Sequence, residues 1–327
     1  MRRRGRLASR LAVVIATAAI AALAASPARA ADHDITVVSS QQLDSRLVQL
    51  QLSTPVLKSP TGVRILLPAD YDEHPDQRYP VLYLLHGAQG QDTDWTTVGD
   101  AEAITAGAPL IVVMPDGGQG GWYTNWVNRG AFGPPEWETY HVDELIPWVD
   151  DHYRTIAARD GRAIAGLSMG GFGAMSYASR HPDLFAWAGT FSGAVDITHD
   201  LPVVGAIAAT AFLDGGLPGD QFGNRLLNDA NWQAHDPWTQ APHLRGMALE
   251  IDTGNGAPGP YDTSPLGDPL EEQVHEMSVS FHNRLVALGI PSRFDDYGPG
   301  THSWPYWQRD LRRALPSVLA TLAGPAG

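Results

Sequence analysis

Short apolar runs that end in glycine-rich turns dominate the hydrophobic pattern of this chain. One lies between Pro80 and His86, a second covers Leu110–Met114 and a third covers Arg162–Ala165. Runs of this length without polar alternation are typical of strands buried on both faces of a parallel sheet. The pattern predicts further strands at Leu43–Leu52, Gly62–Pro68, Leu184–Phe191, Met247–Ile251 and Arg293–Tyr297.

Elsewhere the spacing of apolar residues becomes helical. Helices are predicted at Glu136–Tyr153, from Gly170 to His181, at Leu270–Leu288 and around Trp307–Leu322. The alternation of strands and helices predicts the α/β class, with a mostly parallel central sheet flanked by helices in a single domain. Thr253–Pro269, which is rich in Gly, Pro and Asp, is predicted as a long loop inside that domain.

The first thirty residues carry a different pattern. Five arginines precede an uncharged run from Leu11 to Ala25, and Ala28-Arg29-Ala30 follows it. This order is typical of a secretory signal peptide, and the run is shorter than the ~20 apolar residues that span a membrane. We expect a signal peptide at 1–30 that is cleaved after Ala30, a catalytic domain at 31–327, and a secreted protein with no stable membrane span.

Composition narrows the partners and the chemistry. The chain has 327 residues, no Cys and a formal charge of −14, which becomes −20 when residues 1–30 with their six arginines are removed. This charge argues against nucleic acid as a partner, because a phosphate backbone calls for clustered basic residues. The absence of Cys from the sequence excludes thiolate nucleophiles, disulfides and Cys-ligated metal sites.

The candidate nucleophile is Ser168, in the G-x-S-x-G sequence of Gly166–Gly170. The pattern alone is weak evidence, but here it follows an apolar strand and opens a helix of small residues. That context is typical of a nucleophile elbow, in which a sharp turn exposes the serine and the helix N-terminus faces an oxyanion. A glycine-rich turn with a structural serine is the alternative interpretation.

A serine hydroxyl needs a base to remove its proton. In nucleophile-elbow enzymes the base comes last, in a loop after the final strand. Of the twelve histidines, His302 lies there, in the sequence Gly-Thr-His-Ser-Trp, and it is predicted to be the base. His275 and His282 fall on a predicted helix. His86 follows a buried strand, where it is expected to shape the oxyanion loop.

Two backbone N–H groups are predicted to hold the oxyanion, that of Met169 in the elbow and that of Ala88 after the first buried strand. The acid that orients His302 is expected between Ser168 and His302 in the sequence. Spacing alone leaves the choice open among the carboxylates of Asp252, Asp262, Asp268, Glu271 and Glu272.

Four motifs resemble the secreted esterase and mycolyltransferase family of the α/β-hydrolase superfamily, which includes the antigen 85 mycolyltransferases and, more distantly, esterase D. They are Val81–Gly87, Val112–Pro115 with the Gly117-Gly118-Gln119 sequence, Gly166–Gly170 and Gly300–Trp307. The resemblance covers residues 45–320. The Gly300–Trp307 block is specific, whereas G-x-S-x-G is shared by the whole superfamily.

This resemblance implies Ser168 as nucleophile, His302 as base and Ala88 and Met169 as oxyanion donors. It also implies that the acid is Glu271, near the start of the helix before the last strand, with Glu272, Asp262 and Asp252 as alternatives. In two respects the chain differs from the mycolyltransferases. It has His86 where the mycolyltransferases have Asp, and in this it resembles ordinary esterases. It also lacks the disulfide of the mycolyltransferases.

Residues near the predicted active-site loops are candidates for substrate binding. We assign this role to Trp126 and Trp304, which suit an acyl chain or a sugar face, and to His86 and Gln89. Trp137 and Trp307 are expected to pack in the core. No cofactor and no metal is predicted, since the sequence has no H-E-x-x-H motif; Ca²⁺ in the 253–269 loop is a minor alternative.

These residues predict a secreted serine-dependent carboxylesterase or acyltransferase that acts on a small-molecule, lipid or sugar ester through an acyl-enzyme. Water as acceptor gives hydrolysis, and a hydroxyl of trehalose or glycerol gives transfer, as the resemblance to mycolyltransferases implies. A non-catalytic secreted binding protein on a hydrolase scaffold is the alternative from another class. An intact set of Ser, His and acid argues against it.

Overall fold

The computed structural model describes residues 34–128, 135–199 and 201–322, so the predicted signal peptide lies outside the described residues. Within them, nine strands form one sheet in the order β1-β2-β3-β5-β4-β6-β7-β8-β9. The strands are β1 Thr36–Gln42, β2 Leu47–Ser53, β3 Thr61–Leu66, β4 Val81–Leu85, β5 Ile111–Pro115, β6 Arg162–Leu167, β7 Trp187–Phe191, β8 Ala248–Thr253 and β9 Arg293–Asp296. The helices are α1 Asp94–Thr97, α2 Ala101–Ile104, α3 Ile146–His152, α4 Met169–Arg180, α5 Leu201–Thr210, α6 Asp229–His235, α7 Pro237–Gln240, α8 Pro269–Ala287 and α9 Trp304–Thr321.

The sheet is parallel from β4 to β9 and antiparallel at its β1–β3 end. The central strands β4, β5, β6 and β7 are buried along their whole length, as their mostly apolar sequences predict. The predicted α/β class with a mostly parallel sheet in one domain is confirmed. The carboxyl ends of the parallel strands share one edge, where the loops that carry chemistry converge.

Alternate residues of the central strands enter two different cores. From β4, Val81, Tyr83 and Leu85 pack with α3, α4 and α8, whereas Leu82 and Leu84 pack with α2 and α9 on the opposite face. Helices therefore cover both faces of the sheet. This arrangement holds the strand ends rigidly, so that the loops between strands and helices are well positioned.

Some elements differ from the sequence prediction. All seven residues of β1 are exposed, so this strand has no apolar signal that could predict it. The predicted helix Glu136–Tyr153 begins with a π-helical turn, Thr139–Leu145, and only then becomes α-helical. The last helix begins at Trp304 rather than Trp307, since Ser303 is its N-cap and Pro305 occupies its first turn.

None of the helices in the described part of the chain is long and apolar enough to cross a bilayer.

Candidate active site

Ser168 lies in a strained turn between β6 and α4. Its φ is 53° and its ψ is −119°, a conformation that a non-glycine residue rarely adopts. The neighbouring backbone segments approach so closely that only glycine fits at two positions. A Cβ on Gly166 would lie 2.3 Å from the Gly170 carbonyl oxygen, and one on Gly170 would lie 2.5 Å from the carbonyl oxygens of Leu85 and His86. The turn therefore has the form of the predicted nucleophile elbow.

Three residues distant in sequence form a continuous hydrogen-bonded chain at this turn. His302 Nε2 is 2.8 Å from Ser168 Oγ, and His302 Nδ1 is 2.7 Å from Glu271 Oε2. The His302 side chain is 8% exposed and that of Glu271 is fully buried. The Trp307 indole meets the imidazole at 87°, with 5.0 Å between ring centroids. The ring is therefore held on both nitrogens and along one side.

The Glu271 carboxylate is fixed by the ends of two strands. Its Oε1 accepts hydrogen bonds from Ser192 Oγ and the Gly254 N–H, both at 2.8 Å, and from Thr253 Oγ1 at 3.3 Å. Its Oε2 is left for His302. An ionised carboxylate is a strong acceptor when it receives several such bonds. These bonds fix the carboxylate in place and direct Oε2 toward the imidazole.

The other candidate acids have different partners. Asp262 accepts hydrogen bonds from Thr301 Oγ1 at 2.6 Å and Tyr306 Oη at 2.7 Å, and Glu272 is exposed. Asp268 is the N-cap of α8, and its Oδ2 accepts the His302 N–H at 2.9 Å. Of the candidate acids that sequence analysis left open, the structure brings Glu271 to the imidazole.

The predicted oxyanion donors flank the serine. In the described part of the chain, the N–H groups of Ala88 and Met169 donate no hydrogen bond to another protein group. Ala88 lines the same cavity as Ser168, and Met169 is the first residue of α4. Two free N–H groups beside a serine hydroxyl match the requirement of an oxyanion hole.

His86 is placed under the oxyanion loop and not in the cavity. Its side chain is 1% exposed, its Nδ1 is 2.7 Å from the Gly87 carbonyl oxygen, and its Nε2 accepts the Gly117 N–H at 2.9 Å. Because both ring nitrogens bind backbone groups, the ring joins the loop after β4 to the loop after β5. The structure therefore does not bring the predicted substrate-binding residue His86 into contact with the cavity.

The cavity at Ser168 has a volume of about 450 Å³. Of the predicted binding residues, Gln89 and Trp304 line it, together with Trp307, Leu270 and Asp94. Trp126, which is 3% exposed, instead lines an adjoining cavity of about 380 Å³ that shares Gly90 with the first. Trp137 lines that second cavity, and Trp307 contacts His302, so neither tryptophan packs only in the core.

Asp252, on β8, is a second buried acid close to Glu271. It is fully buried, and neither carboxylate oxygen has a hydrogen-bond partner among the described residues. Burial raises the pKa of Asp252 well above its usual range, and the charge of Asp310 on α9 raises it further. Glu250 and Asp295 add negative charge, while Arg309, which binds Asp310 at 2.7 Å, opposes it. The folded protein therefore favours the protonated form of Asp252 more strongly than the unfolded chain does.

A raised carboxyl pKa destabilises the fold as pH rises, because the folded state then binds more protons than the unfolded state. We expect the free energy of unfolding of Asp252→Asn to equal that of the wild type at pH 4. At pH 8 the variant should be about 1–3 kcal/mol more stable, since the amide has no proton to lose. Urea unfolding at the two pH values measures the difference. An equal effect at both values would contradict a raised pKa of Asp252 in the folded protein.

One group of described residues has metal-ligand spacing, namely Asp196, His199 and Asp236, whose ligand atoms lie within 4.8 Å of one another. Their oxygens already accept hydrogen bonds from Ser280, Thr198 and Thr239. In the 253–269 loop, Asp262 and Asp268 are likewise held by donors of the chain. These carboxylates have structural partners that explain their positions.

The sequence did not predict the supporting roles of two residues, Asp268 and Ser192. Asp268 caps α8 and also binds the His302 backbone, and Ser192, which has φ of 50°, binds Glu271. The sequence Asp268-Pro-Leu-Glu271 has the spacing of a helix N-cap followed by an acid at the third helical position. That signal predicts the start of α8 but not that Glu271 turns toward His302.

The fold and the Ser168 turn define an α/β-hydrolase. The family described as "Putative esterase" matches residues 54–318, and the chain belongs to this family. It is 37% identical over 272 residues to esterase Rv1288 of Mycobacterium tuberculosis, which covers 82% of this chain. The chain spans only 58% of that relative's length.

Three further similarities are to one relative in sequence and two solved structures. The chain is 32% identical over 253 residues to "Diacylglycerol acyltransferase/mycolyltransferase Ag85B" of Mycobacterium leprae, which covers 74% of this chain and 76% of the relative. The crystal structure of Mycobacterium tuberculosis MPT51 (FbpC1) superposes with a TM-score of 0.71 at 25% identity, covering 86% of this chain and 100% of the other. A ferulic acid esterase, at 24% identity and a TM-score of 0.62, shares the fold.

Proposed function

We propose that this protein is a serine-dependent acyl-ester hydrolase or acyltransferase in which Ser168, His302 and Glu271 form the catalytic triad. The observation that carries the proposal is the hydrogen-bonded chain from Ser168 Oγ through the imidazole to the buried Glu271 carboxylate. Membership of the esterase family and the names of its relatives agree with this activity.

In the first half-reaction Ser168 Oγ attacks the ester carbonyl carbon while His302 Nε2 accepts the hydroxyl proton. The N–H groups of Ala88 and Met169 stabilise the oxyanion of the tetrahedral intermediate. Glu271 accepts from Nδ1–H, which keeps the other nitrogen free to act as a base. His302 then returns the proton to the leaving alcohol oxygen, the ester C–O bond breaks, and an acyl-Ser168 remains.

In the second half-reaction a hydroxyl group attacks the acyl-Ser168 carbonyl carbon while His302 Nε2 removes its proton. The C–O bond to Ser168 then breaks, and His302 returns the proton to Ser168 Oγ. Water gives a carboxylic acid, and an alcohol gives a new ester. The similarity to proteins named as acyltransferases is the observation that favours transfer as the second candidate. Both routes use the same residues. Whether water or an alcohol is the acceptor therefore depends on whether the cavity binds the alcohol in preference to water.

A panel of acyl esters of increasing chain length, assayed with and without trehalose or glycerol, tests this function. We expect hydrolysis of short-chain esters, with the rate falling once the acyl group exceeds the cavity of about 450 Å³. An acylated sugar or glycerol would identify a transferase. Failure to cleave any ester would contradict the proposed activity.

We further propose that the domain 31–327 acts outside the cell after removal of residues 1–30. The arginines and the uncharged run at the N-terminus support export. A protein recovered from the culture medium with Ala31 as its first residue would agree with this, and retention of an intact N-terminus inside the cell would contradict it.

A further inference from the structure

The wall of the Ser168 cavity combines a carboxylate with two indoles. Asp94, Trp304 and Trp307 line it together with Ser168 and His302. Of the described residues that line this cavity, none is an arginine or a lysine. A negative charge beside aromatic rings is the chemistry that recognises ammonium groups, because a cation is attracted both to the carboxylate and to the ring face.

Asp94 is held at this wall by the oxyanion loop. Its Oδ2 accepts the Gln91 N–H at 3.1 Å. A Cβ added to Gly90 would lie 2.7 Å from that oxygen, so the carboxylate rests directly against the loop that carries Ala88. The next residue, Trp95, fixes α1 to the end of β4, because its indole N–H donates to the Leu85 carbonyl oxygen at 3.0 Å.

Trp95 also sets the positions of the Trp304 and Trp307 indoles that line the cavity. Trp95 meets Trp304 at 89° with 5.2 Å between ring centroids, and Trp304 meets Trp307 at 84° with 5.3 Å. Trp307 is 6% exposed, whereas Trp304 remains partly exposed in the cavity. Asp94 and Trp304 are therefore positioned through one rigid aromatic cluster beside the reactive hydroxyl.

The surrounding charges are mostly negative. The adjoining cavity, which meets this one at Gly90, is lined by Asp116 and Asp214, and Lys58 is the basic residue among its described lining. The whole chain has a formal charge of −14. Both cavities thus favour a cation and disfavour an anion, and Asp94 is the carboxylate in the cavity that holds Ser168.

We propose that Asp94, Trp304 and Trp307 form a cation subsite, so that the preferred substrates are esters carrying an amine or quaternary ammonium group close to the ester bond. This rests on the proposed function, since the acyl group must reach Ser168. Esters with a free carboxylate or phosphate are disfavoured at the same place. Asp94 determines specificity in this scheme and takes no part in bond making or breaking.

Acetylcholine and 3,3-dimethylbutyl acetate test the subsite, because they have the same shape and differ in charge. We expect kcat/KM to be about tenfold higher for acetylcholine, with the ratio falling as salt is added. In Asp94→Asn the ratio should fall to about one, whatever the absolute rates. Asp76→Asn, which removes the same charge from an exposed position outside both cavities, should keep the tenfold ratio.

A wild-type ratio near one, or a ratio that Asp94→Asn leaves unchanged, would overturn the proposal. If neither these esters nor any ester of the chain-length panel is cleaved, the proposed function fails, and calorimetric binding of choline and of 3,3-dimethylbutanol then tests the subsite by itself. Tighter binding of choline that is lost in Asp94→Asn supports the subsite. Equal binding of the two alcohols, or choline binding that persists in Asp94→Asn, overturns it.

Discussion

Glu271→Gln should lower kcat by about three or more orders of magnitude while leaving the fold intact. The amide keeps the shape of the carboxylate, so that Ser192 and Gly254 retain an acceptor. It provides no negative charge for the imidazolium, however, and its NH₂ group favours the His302 tautomer with the proton on the wrong nitrogen. Losses of about 10⁴ accompany such a change in serine triads.

The neighbouring Glu272 provides the matched control. It is exposed on the same turn of α8 and follows Glu271 directly in the sequence. Glu272→Gln therefore changes the net charge by the same amount as Glu271→Gln. We expect near-normal kcat in Glu272→Gln, measured with the same ester and with folding verified by circular dichroism. Equal losses in both variants, or normal turnover in Glu271→Gln, would remove Glu271 from the triad.

Gly170→Ala should damage both stability and turnover. The added Cβ would lie 2.5 Å from the Leu85 and His86 carbonyl oxygens, which are backbone atoms that no rotamer change can move. Separating α4 from the end of β4 should cost about 2–4 kcal/mol in the free energy of unfolding. The same shift moves Ala88 relative to Met169, so kcat should fall by about 10²–10³.

Gly205→Ala is the control for this substitution. It lies in α5, and nothing is within 4 Å of the Cβ it would add. Replacing glycine by alanine in an exposed helix should raise stability by about 0.5–1 kcal/mol. Urea unfolding and ester turnover of the two variants would measure the difference. Similar stability for both would show that α4 and β4 are not as closely packed as described.

The apolar pattern predicts the centre of this fold well because burial on both faces leaves a direct record in the sequence. Strands β4 and β5 are uninterrupted apolar runs, β6 and β7 are mostly apolar, and α8 ends just before its glycine and proline signals. β1 has no such record, since it is an edge strand with every side chain exposed. The region of α5–α7 escaped prediction because its apolar residues follow neither a clear helical nor an alternating period.

The candidate site divides in the same way. Ser168 and His302 are predictable because each occupies a local motif with a fixed position in the fold. The choice of Glu271 came from resemblance, because only the tertiary arrangement decides which of several carboxylates reaches the imidazole. The sequence predicts a substrate-binding role for His86, but its ring turns under the loop and binds the backbone of Gly87 and Gly117. The local sequence does not reveal these contacts.

Reaction of the folded protein with a fluorophosphonate, followed by peptide mapping, tests the central claim most directly. The reagent reports a serine hydroxyl that an adjacent base has activated. We predict one adduct, on Ser168, that is absent after unfolding in urea and strongly slowed in His302→Asn. A folded protein that forms no adduct at Ser168, or forms it equally fast without His302, would contradict the account.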